Sequence, residues 1–439
     1  MPLLLALISL TWQAGAAKID VTPKEPIWLS GYANRTKPAE GTLQPIYVKA
    51  AAFRQNNETA VIVTSDLQGF DVDMISNIAI RAEKQFQLPR KGLILNYSHN
   101  HSSPVTGKVL HLYYNLNPEQ AEAVTRYTAR LQDQIVEVIG AAIKDLAPAE
   151  LTFEQGLAGI AVNRRRARPN GRALFGPVDH DVPVLAIRAP TGKLRAILFG
   201  YSCHTTALSG YQINGDYAGY AQAALEKRYP GTTAHFVQGC GGDANPLPRI
   251  MNSDSAEAVE LAEMYGKILA RAVEAVLRAP MNAVTGPLKT NYTEIQVPFT
   301  KPPTKEALEA KLKTTKGFQQ KQTQYLLNKL TKEGKLEESH PYPIQTVRFG
   351  TSLNFIALTG ESVVDYCLRF KKEYGPDTTW VAGYNNELLS YIPSLRVLRE
   401  GGYEGTEDMG EYGLPAPYAE DIEDRIAKAV KSLLESPIN

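Results

Sequence analysis

The run Leu93-Ile94-Leu95-Asn96-Tyr97 carries no charge and leads directly into Ser98-His99-Asn100-His101-Ser102-Ser103-Pro104. A short apolar run bounded by turn-forming residues reads as a buried strand. In α/β folds, ligands sit beyond the carboxyl ends of such strands. The chain has 7 histidines, and two of them stand one residue apart at this strand end. Alternate side chains of a strand share a face, so His99 and His101 are expected to converge on one ion or one substrate.

The same pattern of a strand followed by a helix recurs along the chain. Further strands are expected over 47–54, 60–65, 151–154, 158–163, 234–238, 290–299 and 379–382. Helices with apolar residues at helical spacing are expected over 72–86, 118–146, 217–228, 255–279, 361–374 and 419–436. Pro190-Thr191-Gly192-Lys193 is turn chemistry that pairs 182–188 with 194–202 as a hairpin. Gly350-Thr351-Ser352 does the same for 344–349 and 353–358. Segment 304–335, rich in Lys, Gln, Glu and Leu, reads as a helical hairpin inserted on the surface. Alternating strands and helices interrupted by hairpins predict an α/β fold, a mixed β-sheet core flanked by helices, in one catalytic domain.

A chain of 439 residues buries a core large enough to fold without disulfides or structural metal. Its formal net charge of +1 argues against a nucleic-acid partner, which needs a phosphate-neutralising surface. Met1-Pro2-Leu3-Leu4-Leu5-Ala6-Leu7-Ile8-Ser9-Leu10 followed by Ala14-Gly15-Ala16-Ala17 has the apolar core and small-residue cleavage pattern of a signal peptide. The expectation is a leader over 1–17, a domain over 18–439, and a secreted or periplasmic location. The basic leader segment is missing, so a buried first strand is the alternative. No stretch is apolar enough for a transmembrane segment. Cys203, Cys240 and Cys367 form no disulfide framework. They read as small buried side chains, with a Cys203–Cys240 bridge open.

His204 ends a second apolar strand, and Glu361 stands where the strand 353–358 turns toward a helix. Two imidazoles and a carboxylate delivered by strand ends are the parts of a zinc site, which in enzymes keeps one position open. Gln238-Gly239-Cys240-Gly241-Gly242-Asp243-Ala244-Asn245-Pro246 follows another strand. Its glycines suit a backbone amide nest for an oxyanion, or a plain tight turn. Asp216 reads as a helix N-cap. Asn163-Arg164-Arg165-Arg166 is either solvated surface or a grip on a carbonyl or carboxylate. His180 reads as structural, and His111, His235 and His340 have no supporting context. The chain contains no G-x-S-x-G elbow, so water activated by a metal is the better nucleophile.

These segments resemble the neutral/alkaline non-lysosomal ceramidase family, in its N-terminal catalytic domain. Gly31-Tyr32-Ala33-Asn34 is similar to the family's G-Y-A-N. The 98–104 segment resembles its T-H-T-H-S-G-P, and Asn163-Arg164 its N-R-S. His204-Thr205-Thr206 resembles H-G-T, and Gly215-Asp216-Tyr217-Ala218-Gly219-Tyr220 is similar to G-D-x-x-G-Y. Gly360-Glu361 resembles P-G-E. The run 384–391 followed by Tyr403-Glu404-Gly405 resembles the tyrosine-rich segment ending in Y-E-G.

The resemblance implies zinc (Zn2+) held by His99, His204, Glu361 and Tyr391. It implies His101 in proton transfer, Arg164 on the substrate's polar group, and Tyr403 near the substrate. Two departures stand out. Asn245 occupies the place of a family serine, and the family's C-terminal immunoglobulin-like domain has no counterpart in this sequence. Asparagine is no hydroxyl nucleophile, but it can donate to an oxyanion together with amides of Gly241 and Gly242. The expected activity is zinc-dependent hydrolysis of a linear amide bond in a small-molecule or lipid-like N-acyl substrate. Ester hydrolysis on the same site, or a binding protein whose chemistry has lapsed, are the alternatives.

Overall fold

The computed structural model describes residues 12–165, 176–251 and 253–437. Its strands in chain order are β1 (Trp12–Asp20), β2 (Tyr47–Gln55), β3 (Glu58–Ser65), β4 (Leu93–Tyr97), β5 (Ala147–Leu157), β6 (Asp181–Arg188), β7 (Leu194–Tyr201), β8 (Thr233–Gln238), β9 (Leu288–Pro298), β10 (Ser339–Phe349), β11 (Leu353–Thr359) and β12 (Thr379–Asn385). They form a 13-stranded sheet in the order β8-β7-β6-β5-β1-β2-β3-β4-β12-β11-β10-β9, with the short strand Asn282–Ala283 beside β5. Pairs β3/β4, β7/β8 and β11/β12 are parallel, whereas β1/β2, β5/β6 and β10/β11 are antiparallel. The sheet is mixed, as the hairpins within the α/β pattern require.

The helices are α1 (Val72–Phe86), α2 (Pro118–Lys144), α3 (Asp216–Arg228), α4 (Ala256–Arg278), α5 (Lys305–Thr314), α6 (Gly317–Glu333), α7 (Asp365–Tyr374), α8 (Leu395–Glu400) and α9 (Ile422–Glu435). The strands are apolar on both faces because both are covered. Along β2, Val48, Ala50 and Ala52 pack under α1 and α2, while Ala51 and Phe53 point the other way. That other face packs on itself. Phe153 of β5 stacks on Trp380 of β12, ring centres 6.1 Å apart, although the two strands are distant in sheet order. The sheet therefore folds into two layers with helices outside: α1 and α2 on one, α3 with α4 and α7 with α9 on the other.

β1 begins at Trp12, so the boundary expected between residues 17 and 18 falls inside a strand that pairs with β2 from Gln13–Arg54 to Asp20–Tyr47. Residues 12–17 are part of the folded domain, and the earlier part of the expected leader, 1–11, lies outside the described residues. Within that run Gly15 is a close-packing position. A Cβ on Gly15 would come 2.3 Å from the carbonyl oxygen of Ala142 on α2. Segment 304–335 forms the expected helical hairpin, α5 and α6, around Leu308 and Leu326. Cys203 and Cys240 are free and buried, so the bridge left open is not formed; Cys240 lies against Cys367 instead. Among the described residues, no helix is long and apolar enough to cross a membrane.

Candidate metal centre

Four strands end under one point. Asn96 near the end of β4 donates to Gly383 O at 2.9 Å and accepts the amide of Gln238 at 2.9 Å. Asn385 at the end of β12 donates to Leu358 O of β11 at 2.9 Å. This buried amide network ties β4, β8, β11 and β12 into one floor, and the loops leaving it carry the chemistry.

After β4 the chain turns rather than continuing as a strand. His99 has a left-handed backbone, φ 59°, an uncommon conformation outside glycine. The turn, not strand alternation, brings His99 and His101 together, with their Nε2 atoms 3.0 Å apart. Gly31 (φ 96°) lies against the His101 ring, where a Cβ would sit 2.4 Å from Cγ. Tyr32 stands edge-on to the same ring at 4.7 Å. His204 follows β7. The loop behind it is held by the Asp216 carboxylate, which accepts from Leu208 N at 2.8 Å and Ala207 N at 3.2 Å. Asp216 is therefore not the expected N-cap; that position belongs to Gly215. Glu361 is not in a first helical turn either. Gly360 (φ 73°) breaks β11, Glu361 pairs with Tyr391 in a two-residue parallel ladder, and α7 starts only at Asp365.

His99, His204 and Glu361 are all buried and form a cluster able to hold a metal ion. His99 Nδ1 lies 3.1 Å from Gln68 O, and His204 Nδ1 2.7 Å from Gly241 O. Backbone carbonyls accept only, so each neutral ring carries its proton on Nδ1 and presents a lone pair at Nε2. Those lone pairs stand 3.2 and 3.3 Å from Glu361 Oε2. Three acceptors at that spacing repel one another unless a cation lies among them. A tetrahedral zinc site with bonds of ~2.0–2.1 Å has ligand–ligand edges of ~3.3 Å, so the donor set fits. Tyr391 Oη, 3.2 Å from His204 Nε2, is placed for a fourth contact.

Burial alone would raise the Glu361 pKa; positive charge beside it at the His99 and His204 rings holds it well below the usual carboxylate range, and with the rings neutral that charge has to come from a cation. Burial, aided by Arg164, lowers His204 to about 4. Burial and then His99 hold His101 well below the usual value, and its Nδ1 is buried with no partner. The other Glu361 oxygen, Oε1, accepts from the Tyr412 hydroxyl.

Beside this cluster, the Arg164 guanidinium binds Glu404 at 2.5 Å through Nε and Asn245 Oδ1 at 3.4 Å through Nη1. Its Nη2 is buried and unpartnered, and the group lies 5.3 Å from the Tyr391 ring centre. Asn245 arrives on the strand Ala244–Pro246, which pairs with Ala161–Asn163. Arg165 also binds Glu404, and Arg166 lies outside the described residues. Tyr403 stands at the rim, its ring 5.4 Å from Tyr391 and its hydroxyl 2.7 Å from Glu411.

The expected oxyanion nest is absent. The amide of Gly241 donates to Gly239 O at 2.9 Å and that of Gly242 to Ser362 O at 3.0 Å. A Cβ on Gly242 would come 2.6 Å from Glu361 O. Gly241 and Gly242 are glycines so that the His204 and Glu361 loops can pack closely, and their amides are already used. His180 is structural as read, with Nε2 2.9 Å from Ala161 O. His111, His235 and His340 lie away from the cluster. Sequence reasoning missed Gln68, which acts through its carbonyl and so leaves no side-chain signature. It also missed Tyr412, whose only signal is the tyrosine-rich C-terminal segment.

The family described as neutral/alkaline non-lysosomal ceramidase, N-terminal, matches residues 12–254. A neutral ceramidase of Mycobacterium tuberculosis is 24% identical over 242 residues, 49% of this chain and 37% of that protein. The match thus spans well under half of that relative's length. A neutral ceramidase structure from Pseudomonas aeruginosa superposes with TM-score 0.74 at 20% identity, covering 98% of this chain and 76% of that one. A ceramidase complexed with C2 gives TM-score 0.75 at 18% identity with the same coverage. At this identity the structures establish a shared fold.

Proposed function

This chain belongs to the neutral/alkaline non-lysosomal ceramidase family, and from that premise we propose that it is a zinc-dependent hydrolase of a linear amide bond in a lipid-like N-acyl substrate. The observation that carries the reading is the meeting of two Nδ1-pinned imidazoles and a buried carboxylate with no proton to share. His99, His204, Glu361 and Tyr391 would hold the ion. When bound, zinc supplies Lewis acidity, polarising an acyl carbonyl and making water a stronger nucleophile.

The chain's own groups do the rest. His101, kept neutral by burial, has a free lone pair to accept a proton and return it to the leaving amine. Arg164 offers the unpartnered Nη2 to a substrate oxygen. Asn245, whose Oδ1 faces Arg164, has its amide nitrogen left to donate to the developing oxyanion. Tyr403 contributes its ring, since its hydroxyl is committed to Glu411. The family match and the fold support amide chemistry on this framework.

The test is turnover of a fluorogenic panel of N-acyl amides and esters, with metal content measured on the same samples. Amide turnover that tracks bound zinc and stops with chelator is expected. In His99→Ala/His204→Ala both zinc and activity should be lost. Stoichiometric zinc retained by that double variant would remove this site, and full metal loading without turnover of any substrate would favour a binding protein.

A further inference from the structure

The inner face of α4 is core: Ala258, Ala262, Leu269 and Val273 are buried against α3 and the sheet. Its outer face should be charged, as on an ordinary surface helix. Instead Leu261, Met264 and Ile268 run along it at helical spacing, with Met264 42% and Ile268 40% exposed. Ile250, 38% exposed, borders them, and together they line an apolar groove of ≈750 Å³. Isolated exposed apolar residues are ordinary, but a contiguous stripe marks a contact surface.

The charges around the stripe are ordered. Glu257 and Glu260 stand at its N-terminal end, Lys267 and Arg271 at its C-terminal end. We propose that a second copy of this chain covers this face, two α4 helices meeting antiparallel about a two-fold axis at Met264. In that arrangement Glu257 of each copy meets Arg271 of the other, and Glu260 meets Lys267. Leu261 packs on Ile268, and Met264 packs on its own equivalent. A two-fold axis forms every such contact twice. A parallel pair would set carboxylates against carboxylates, and an anionic lipid surface would meet Glu257 and Glu260 unfavourably. Lys267 is free to change partners, and Arg271 can do so because Glu274 keeps a second cation, Arg278, at 3.6 Å. The side chains of Lys267 and Arg271 are 68% and 73% exposed, and their present pairs, with Glu263 and Glu274, lie within α4. The Lys267–Glu263 pair, exposed on both sides, holds weakly, whereas Glu274 is buried at 7% exposure.

Met264→Cys tests the axis directly. The native cysteines are buried, so under mild oxidation this variant should give a covalent dimer through position 264. Leu157→Cys, at a more solvent-facing site (74% exposed), should remain monomeric. Sedimentation from about 1 to 100 µM, the range for a small interface, should show a concentration-dependent dimer. Glu257→Lys and Arg271→Glu should each weaken it about tenfold, and the two combined should restore it. A protein that stays monomeric across the range overturns the proposal. So does cross-linking of Met264→Cys no faster than of Leu157→Cys, or a combined charge reversal weaker than either single one.

Discussion

Tyr412→Phe removes one oxygen atom and tests how the candidate metal centre is built. The Tyr412 hydroxyl is the partner of Glu361 Oε1, while Oε2 faces the two imidazoles at 3.2 and 3.3 Å. This division would leave Oε2 as the oxygen that faces a bound ion. Without the hydroxyl, a buried carboxylate oxygen has no donor, and hydrogen bonds to charged groups are worth ~1.5–3 kcal/mol. Loss of an outer partner of a metal ligand typically costs ~10–100-fold in metal affinity, equivalent to ~1.4–2.8 kcal/mol. The two routes agree on magnitude. The assay is competition for zinc against a chromophoric chelator, with the thermal midpoint of the metal-free protein as control for folding. Cobalt substitution adds an independent readout. A Glu361 freed to bind through both oxygens raises the coordination number and weakens the visible d–d bands. Zinc affinity within about twofold of the parent, with an unchanged cobalt spectrum, would refute the positioning role.

Two further outcomes follow from the packing. Gly31→Ala places a Cβ 2.4 Å from His101 Cγ, so it should displace that ring while leaving the metal ligands in place; metal analysis should find zinc retained and turnover should fall, and loss of zinc in parallel with activity would show that the two histidines act as one unit. His235 is buried, with its pKa lowered to about 3 by burial and then by Lys49. The unfolded imidazole takes a proton below ~6.5 and the folded one only near 3, so its stabilising contribution is complete above ~6.5 and is lost as the pH falls toward 3, at ~1.4 kcal/mol per unit. Denaturant titrations of His235→Gln should show a flatter pH dependence across that window, and an unchanged slope would assign the acid sensitivity to other groups.

His99, His204 and Glu361 were legible as candidate ligands because each follows a largely apolar strand, whereas Tyr391 was placed only by the family resemblance. Small residues are harder to read. Ala14-Gly15-Ala16-Ala17 has the small residues of a cleavage site, and in the fold Gly15 is small because α2 lies on top of it, while Ala14 and Ala16 pack on the inner face of the sheet. Gly241 and Gly242 look like an amide nest, yet their amides are spent on Gly239 and Ser362. A glycine records that something approaches closely, not what approaches. Glu361 was assigned to a helix because local sequence cannot see its ladder with Tyr391, a contact formed across the fold.

The site divides into two parts with different supports. The candidate ligands His99, His204 and Glu361 hang from strand ends locked by Asn96, Gln238 and Asn385, buried polar groups whose loss would leave several donors and acceptors unpaired at once. The substrate side rests on less. Arg164 and Asn245 sit on a two-stranded ladder of short segments, and Arg164 is braced by Glu404 from the 403–407 turn. Changes there leave the floor untouched. Asn245, at the position where the family it resembles has a serine, lies in this second part, its Oδ1 3.4 Å from Arg164 Nη1. On the proposed function, variation at 245 and 403 would act on the substrate side, whereas Arg164 also reaches the cluster, through the His204 imidazole and the Tyr391 ring.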